Sequence, residues 1–112
     1  MAEPPIDGLK AIAHPLRYAI LAALSGAELN VGEIETATGI TQPALSQQLS
    51  ILRNAGLVTS RRDAKMVYYR GDEHTLGALA AAVHSIVPAK SKVPADKPGK
   101  KVTGAAVFAR LR

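Results

Sequence analysis

Residues 41–53 read Thr-Gln-Pro-Ala-Leu-Ser-Gln-Gln-Leu-Ser-Ile-Leu-Arg. On a helical wheel Leu45, Leu49 and Leu52 form one apolar stripe, and Gln42, Pro43, Ser46, Gln47, Ser50 and Arg53 occupy the opposite side. That side offers amides, hydroxyls and a guanidinium, and no carboxylate. Amides pair with the donor and acceptor edges of bases, glutamine with N6 and N7 of adenine in particular, and guanidinium groups pair with phosphates. The face therefore suits a helix lying against a nucleic acid, whereas an ordinary solvated face mixes both charge signs. Gln42, Ser46 and Gln47 are the expected base readers. Thr41 and Ser50 are expected to cap the helix or to touch phosphate.

The flanks supply what would position such a helix. Upstream, Asn30 caps an expected helix from Val31, and Glu33 completes a capping box. Ile34 and Ala37 form its inner face, Gly39 ends it, and Ile40 plugs the corner. Thr41 is the expected cap of the next helix, whose first turn tolerates Pro43. Two short helices around a glycine turn make a helix-turn-helix. Downstream, Gly56 stops the helix. Leu57–Arg62 and Met66–Arg70 then read as a hairpin around Asp63-Ala64-Lys65. Arg61, Arg62 and Lys65 near its tip, with Arg53, are the expected contacts to a phosphate backbone.

Charge supports that placement locally. The chain of 112 residues carries 14 Lys and Arg against 9 Asp and Glu, a net +5. Residues 1–87 are close to neutral at −1, and residues 88–112 carry +6. The basic pI thus reflects the C-terminal stretch. Within the first part, Arg53, Arg61, Arg62, Lys65 and Arg70 face Asp63 alone between residues 53 and 70, and this local excess is the better sign of nucleic-acid contact.

The remaining pattern is helical. Ile6, Leu9, Ile12 and Ala13 form one segment, broken at His14-Pro15, and Pro15 opens a second that holds Leu16, Ile20, Leu21, Ala23 and Leu24 and ends near Ser25-Gly26. A last helix starts near Asp72. Its Leu76, Leu79, Val83 and Ile86 recur at coiled-coil-like spacing. With Leu9 and Ile12 they are the expected dimer interface, which a chain this small would use to enlarge its buried core. Residues 1–87 read as one DNA-binding and dimerisation domain, and residues 88–112 as a basic Pro/Ala/Lys-rich tail. There is no cysteine, which excludes disulfides, thiolate metal sites and thiol nucleophiles. No apolar run is long enough for a membrane span, and a cytoplasmic protein is expected. No phosphate-binding-loop, dinucleotide, zinc-hydrolase or serine-hydrolase motif occurs, so no enzymatic activity and no cofactor are expected.

Leu9-Lys10-Ala11-Ile12-Ala13-His14-Pro15-Leu16-Arg17 resembles the opening of the ArsR/SmtB-type winged helix-turn-helix repressors. Gly39 to Leu49 is similar to their recognition helix, Leu52-Arg53-Asn54-Ala55-Gly56-Leu57-Val58 to its exit, and Tyr68-Tyr69-Arg70 to the second wing strand. The resemblance spans about residues 6–87. It implies a mainly α fold with a β-hairpin wing, a homodimer joined through the first and last helices, and a repressor on a palindromic operator in double-stranded DNA.

The family's sensing residues are where this chain departs. The stretch matching the arsenic and cadmium cysteines is Leu29-Asn30-Val31-Gly32-Glu33. Asp72 and His74 match the first half of the family's zinc site, but the second half falls on Ser85 and Pro88, with His84 one residue out of step. A closed tetrahedral site needs four ligands, so no metal is expected. The wording is nearest the sulfide- and persulfide-responsive branch, whose two switch cysteines fall here on Ala22 and Pro88. A cysteine-based sensor is therefore excluded, leaving an unidentified small-molecule inducer between the helices or a DNA binder without an inducer. A winged-helix module that docks protein or RNA is the alternative function.

Overall fold

The computed structural model describes residues 5–89, so the tail from residue 90 onward lies outside the described residues. The elements run α1 (Ile6–Ile12), α2 (Pro15–Ala23), β1 (Leu29–Asn30), α3 (Val31–Thr38), α4 (Ala44–Asn54), β2 (Val58–Asp63), β3 (Met66–Gly71) and α5 (Glu73–His84). They form a winged helix-turn-helix, mainly α with a hairpin wing, as the sequence pattern implies.

His14 ends one helix and begins the next. Its backbone is extended, as a residue before proline requires, and its Nδ1 accepts from the Leu16 N–H at 3.1 Å. At α3 the capping box forms in both directions: Asn30 Oδ1 accepts from the Glu33 N–H, and Glu33 Oε1 from the Asn30 N–H, each at 2.9 Å. Gly39 then turns the chain with φ of +78°, a left-handed conformation that an L side chain resists. Thr38 Oγ1 secures the corner by accepting from the Ile40 N–H at 3.1 Å. Ile40 and Ile34 are buried, whereas Ala37, expected on the inner face of α3, is exposed. The inward stripe of α3 runs through Val31, Ile34 and Thr38 instead.

The core gathers Ile20 and Leu24 from α2, Ile34 from α3, Leu45, Leu49 and Leu52 from α4, and Leu57 and Val58 at the base of the hairpin. Full burial of such side chains is worth roughly 1.5–3 kcal/mol each, so the apolar stripe of α4 sets the orientation of its polar face. The antiparallel sheet has the order β1-β3-β2, with Leu29 opposite Tyr69 and Arg61 opposite Tyr68. Two-residue β1, which periodicity does not reveal, pairs with the middle of β3.

One expectation about α5 is corrected. Leu79, placed on the dimer seam by its spacing, is 3% exposed and belongs to the protomer's own core. It packs on α1 so closely that a Cβ at Gly8 would stand 2.9 Å from Leu79 Cδ2. Leu9, Ile12 and Leu76 are half-buried against the same core, while Val83 and Ile86 stay exposed. The first two turns of α5 thus pack inward and its end faces solvent.

Candidate nucleic-acid interface

Helix α4 presents Ser46, Gln47, Ser50 and Arg53 to solvent, with Thr41, Gln42 and Pro43 exposed just before it. The expected side-chain cap by Thr41 does not form, and the N-cap position falls on Pro43, two residues on. Thr41 supplies its carbonyl, which accepts from the Leu45 N–H at 3.0 Å. The capping side chain is Gln42, whose Oε1 accepts from the Ser46 N–H at 3.1 Å and from Ser46 Oγ at 2.7 Å. Glutamine is the longer side chain and meets the N–H of the residue four ahead, about one residue beyond the reach of a capping threonine. Gln42 and Ser46 are thereby held together before any ligand arrives, and the Gln42 NH2 group is left as a donor.

At the other end of α4, Arg53 Nη1 donates to Ser60 Oγ on β2 at 3.3 Å, which joins the helix to the hairpin. Side chains alternate along a strand, so Arg62 shares the face of Ser60 and Arg61 points the other way. The hairpin turns at Ala64-Lys65, one residue tighter than the three-residue tip expected, with Ala64 at φ of +58° and Lys65 exposed at the apex. Arg62 therefore shares the side of the wing that Arg53 reaches, and Lys65 stands exposed at its apex.

Arg61 is engaged elsewhere. Its Nε and Nη2 each donate to a Glu28 carboxylate oxygen at 2.9 Å, and its guanidinium stacks over Tyr68 at 5.1 Å from the ring centroid. The hydrogen bond from Arg61 holds the Glu28 carboxyl below its ordinary range; the charges of Arg61 and Arg70 act in the same direction, and desolvation opposes them. Arg61 and Arg62 thus lie on opposite faces of the wing.

A model of the family described as bacterial regulatory protein, arsR family, matches residues 14–60. The Biofilm growth-associated repressor of Xylella fastidiosa (strain 9a5c) is 42% identical over 84 residues, 75% of this chain and 74% of that protein. The Nodulation protein NolR of Rhizobium meliloti is 37% identical over 97 residues, 87% of this chain and 80% of that protein. This chain belongs to the arsR family. It is a DNA-binding transcriptional regulator. Among solved structures, the transcriptional repressor BigR from Xylella fastidiosa matches at a TM-score of 0.62 with 40% identity, covering 75% of this chain and 86% of that one. The homodimeric winged helix-turn-helix DNA-binding domain Mb0332 from Mycobacterium bovis matches at 0.62 with 34% identity, covering 72% of this chain and 75% of that one.

Two of the positions matched above to the family's zinc site take structural roles here. Asp72 caps α5 by accepting from the Thr75 N–H at 3.0 Å, and Ser85 Oγ donates to the Ala82 carbonyl at 2.7 Å. His74 and His84 are exposed. Among the described residues no three His, Cys, Asp or Glu side chains gather in a metal-binding arrangement, and no helix is long and apolar enough to cross a membrane.

Two residues that sequence reasoning left without a role also bear on the interface. Arg17 on α2 and Gln48 on the half-buried side of α4 are hydrogen-bonded. Arg17 was visible only as part of a motif. Gln48 carried no signal, because its neighbour Gln47 is exposed and chemically identical.

Proposed function

We propose that this chain is a homodimeric repressor of a palindromic operator, with α4 of each protomer in the major groove and the wing on the adjacent backbone. Gln42, Ser46 and Gln47 read base edges, and Thr41, Pro43 and Ser50 lie at the groove wall. Arg53, Arg62 and Lys65 neutralise phosphates; Arg61 joins them only by leaving Glu28. One observation carries this reading. The exposed face of α4 has no carboxylate, and the Arg53–Ser60 bond runs it without a break into the cationic face of the wing.

Exposed apolar side chains support pairing. Ile6 on α1, Val83 in the last turn of α5, and Ile86 and Val87 just beyond that helix are 38–78% exposed, and α1 and α5 touch through Gly8 and Leu79. The Mycobacterium bovis relative is described as homodimeric, which supports pairing as such. Two-fold symmetry then sets half-sites about one helical turn apart.

Footprinting and fluorescence anisotropy on DNA upstream of the chain's own gene test the proposal. Two symmetric protected half-sites are expected. Three cations per protomer give about six phosphate contacts and a log–log salt slope of about −5. A slope near zero, or equal affinity for single-stranded RNA, would overturn it in favour of a protein- or RNA-docking module.

A further inference from the structure

We propose that a cavity beside α5 binds an amphipathic organic carboxylate, with an apolar body inside and the acid group on Arg70. The cavity, of about 670 Å³, opens between α1, the end of α2, the end of β3 and the start of α5. Ligand sites commonly span roughly 300–1,000 Å³, with mostly apolar walls and a few polar groups. Ile12, Leu21 and Leu76 supply apolar wall here, and Tyr18, Ser25, Arg70 and Glu73 the polar side chains.

The charge of the ligand follows from what these groups already do. Glu28, the nearby carboxylate, is taken by the two-pronged bond from Arg61. Among the described residues Arg70 forms no ion pair. Glu73 is the first residue of α5, where the helix terminus itself stabilises a negative charge. Arg70 is therefore the cationic group of the cavity that holds no ion-pair partner among the described residues, and its guanidinium matches a carboxylate in shape as well as sign.

The walls also connect the cavity to the interface. The Asp72 N–H, next to Glu73, donates to the Leu57 carbonyl at 2.9 Å, and Leu57 directly follows the turn that ends α4. A ligand that shifts the start of α5 loads this junction. That regulatory use rests on the DNA-binding reading above; occupancy of the cavity does not.

The test is calorimetric titration of the full chain, without DNA, with decanoate below its micellar concentration and decylammonium as the charge control. Decanoate is expected to saturate one site per chain and to bind at least tenfold more tightly than decylammonium. Gly77→Leu is the blocking variant. Gly77 lines the cavity, and a Cβ there meets no atom within 4 Å; replacing a helical glycine also favours the helix. This variant should keep its Tm and lose decanoate binding. Arg70→Gln should weaken decanoate at least tenfold and erase the charge preference. Absence of saturable binding to the wild-type chain, as when a second copy fills the cavity, overturns the proposal. So does decanoate binding that survives Gly77→Leu, or a preference for decylammonium. Since no DNA is present, these outcomes are read whether or not the operator reading holds.

Discussion

The Arg17 guanidinium on α2 donates to Gln48 Oε1 on α4 at 2.9 Å and, through Nε, to the Ala11 carbonyl on α1 at 2.6 Å. One side chain thus ties the end of the first helix to the inner side of the helix proposed to read DNA. Arg17→Met keeps the length and removes both bonds. A stability loss of about 1–3 kcal/mol in urea denaturation is expected. Affinity for the operator should fall more than affinity for random DNA, with the salt slope unchanged, because Arg17 positions α4 and is not counted among the phosphate contacts. Arg17→Lys should recover only part, since an ammonium lacks the planar fork. An unchanged ratio of operator to random-DNA affinity in both variants argues against a positioning role.

Glu28 withholds Arg61 from the interface. Glu28→Gln removes a negative charge and loosens the bond to Arg61, so tighter DNA binding is expected. If both copies of Arg61 then reach phosphate, the salt slope steepens by about 2. Because the Glu28 carboxyl is held below its ordinary range in the folded chain, the contact is fully present near neutral pH and above. It fades as pH falls through that lowered value. Anisotropy titrations at several salt concentrations measure this, and equal or weaker binding by the variant assigns Arg61 to a role within the wing alone.

The wing turn holds Ala64 at φ of +58°, a conformation costing an L-residue about 1–2 kcal/mol. Glycine relieves that cost but has more freedom to lose on folding. The net expectation for Ala64→Gly is a gain of about 0.5–1 kcal/mol and a Tm higher by a few degrees. A fall in Tm on thermal denaturation would show that the side chain is stabilised by its surroundings.

The end of α5 separates association from folding. Ile86→Glu and Val83→Glu place charge on exposed positions, so each should keep the helical circular-dichroism spectrum and weaken the dimer at least tenfold. Leu79→Glu should unfold the chain, because it buries an unpaired carboxylate in the core. Sedimentation equilibrium across protein concentrations distinguishes the two. Dimer mass unaffected by either exposed-site change excludes this seam.

What the sequence made legible was local. Asn30 and Glu33 are three residues apart and need only helical geometry to meet, and Gly39 answers to its own φ. Leu45, Leu49 and Leu52 declare a face by spacing alone. Thr41 is the expected cap of α4, and Gln42 fills that role instead, because only the path of the first turn decides which side chain meets an unpaired N–H. Arg61 and Glu28 lie 33 residues apart, and strand pairing, not spacing, brings them together. Leu79 shows the limit of periodicity: the same repeat marks a residue sealed within one protomer and residues open to another. Two-residue β1 is too short to leave a period at all, yet its pairing with β3 places Glu28 behind the wing.

The burial of Leu79 within its own chain has a kinetic corollary. Closure of α5 over α1 draws on contacts within one protomer, so this step is expected to be first-order, at a rate independent of dilution. In the proposed dimer, a phase that slows on dilution would then report encounter between subunits.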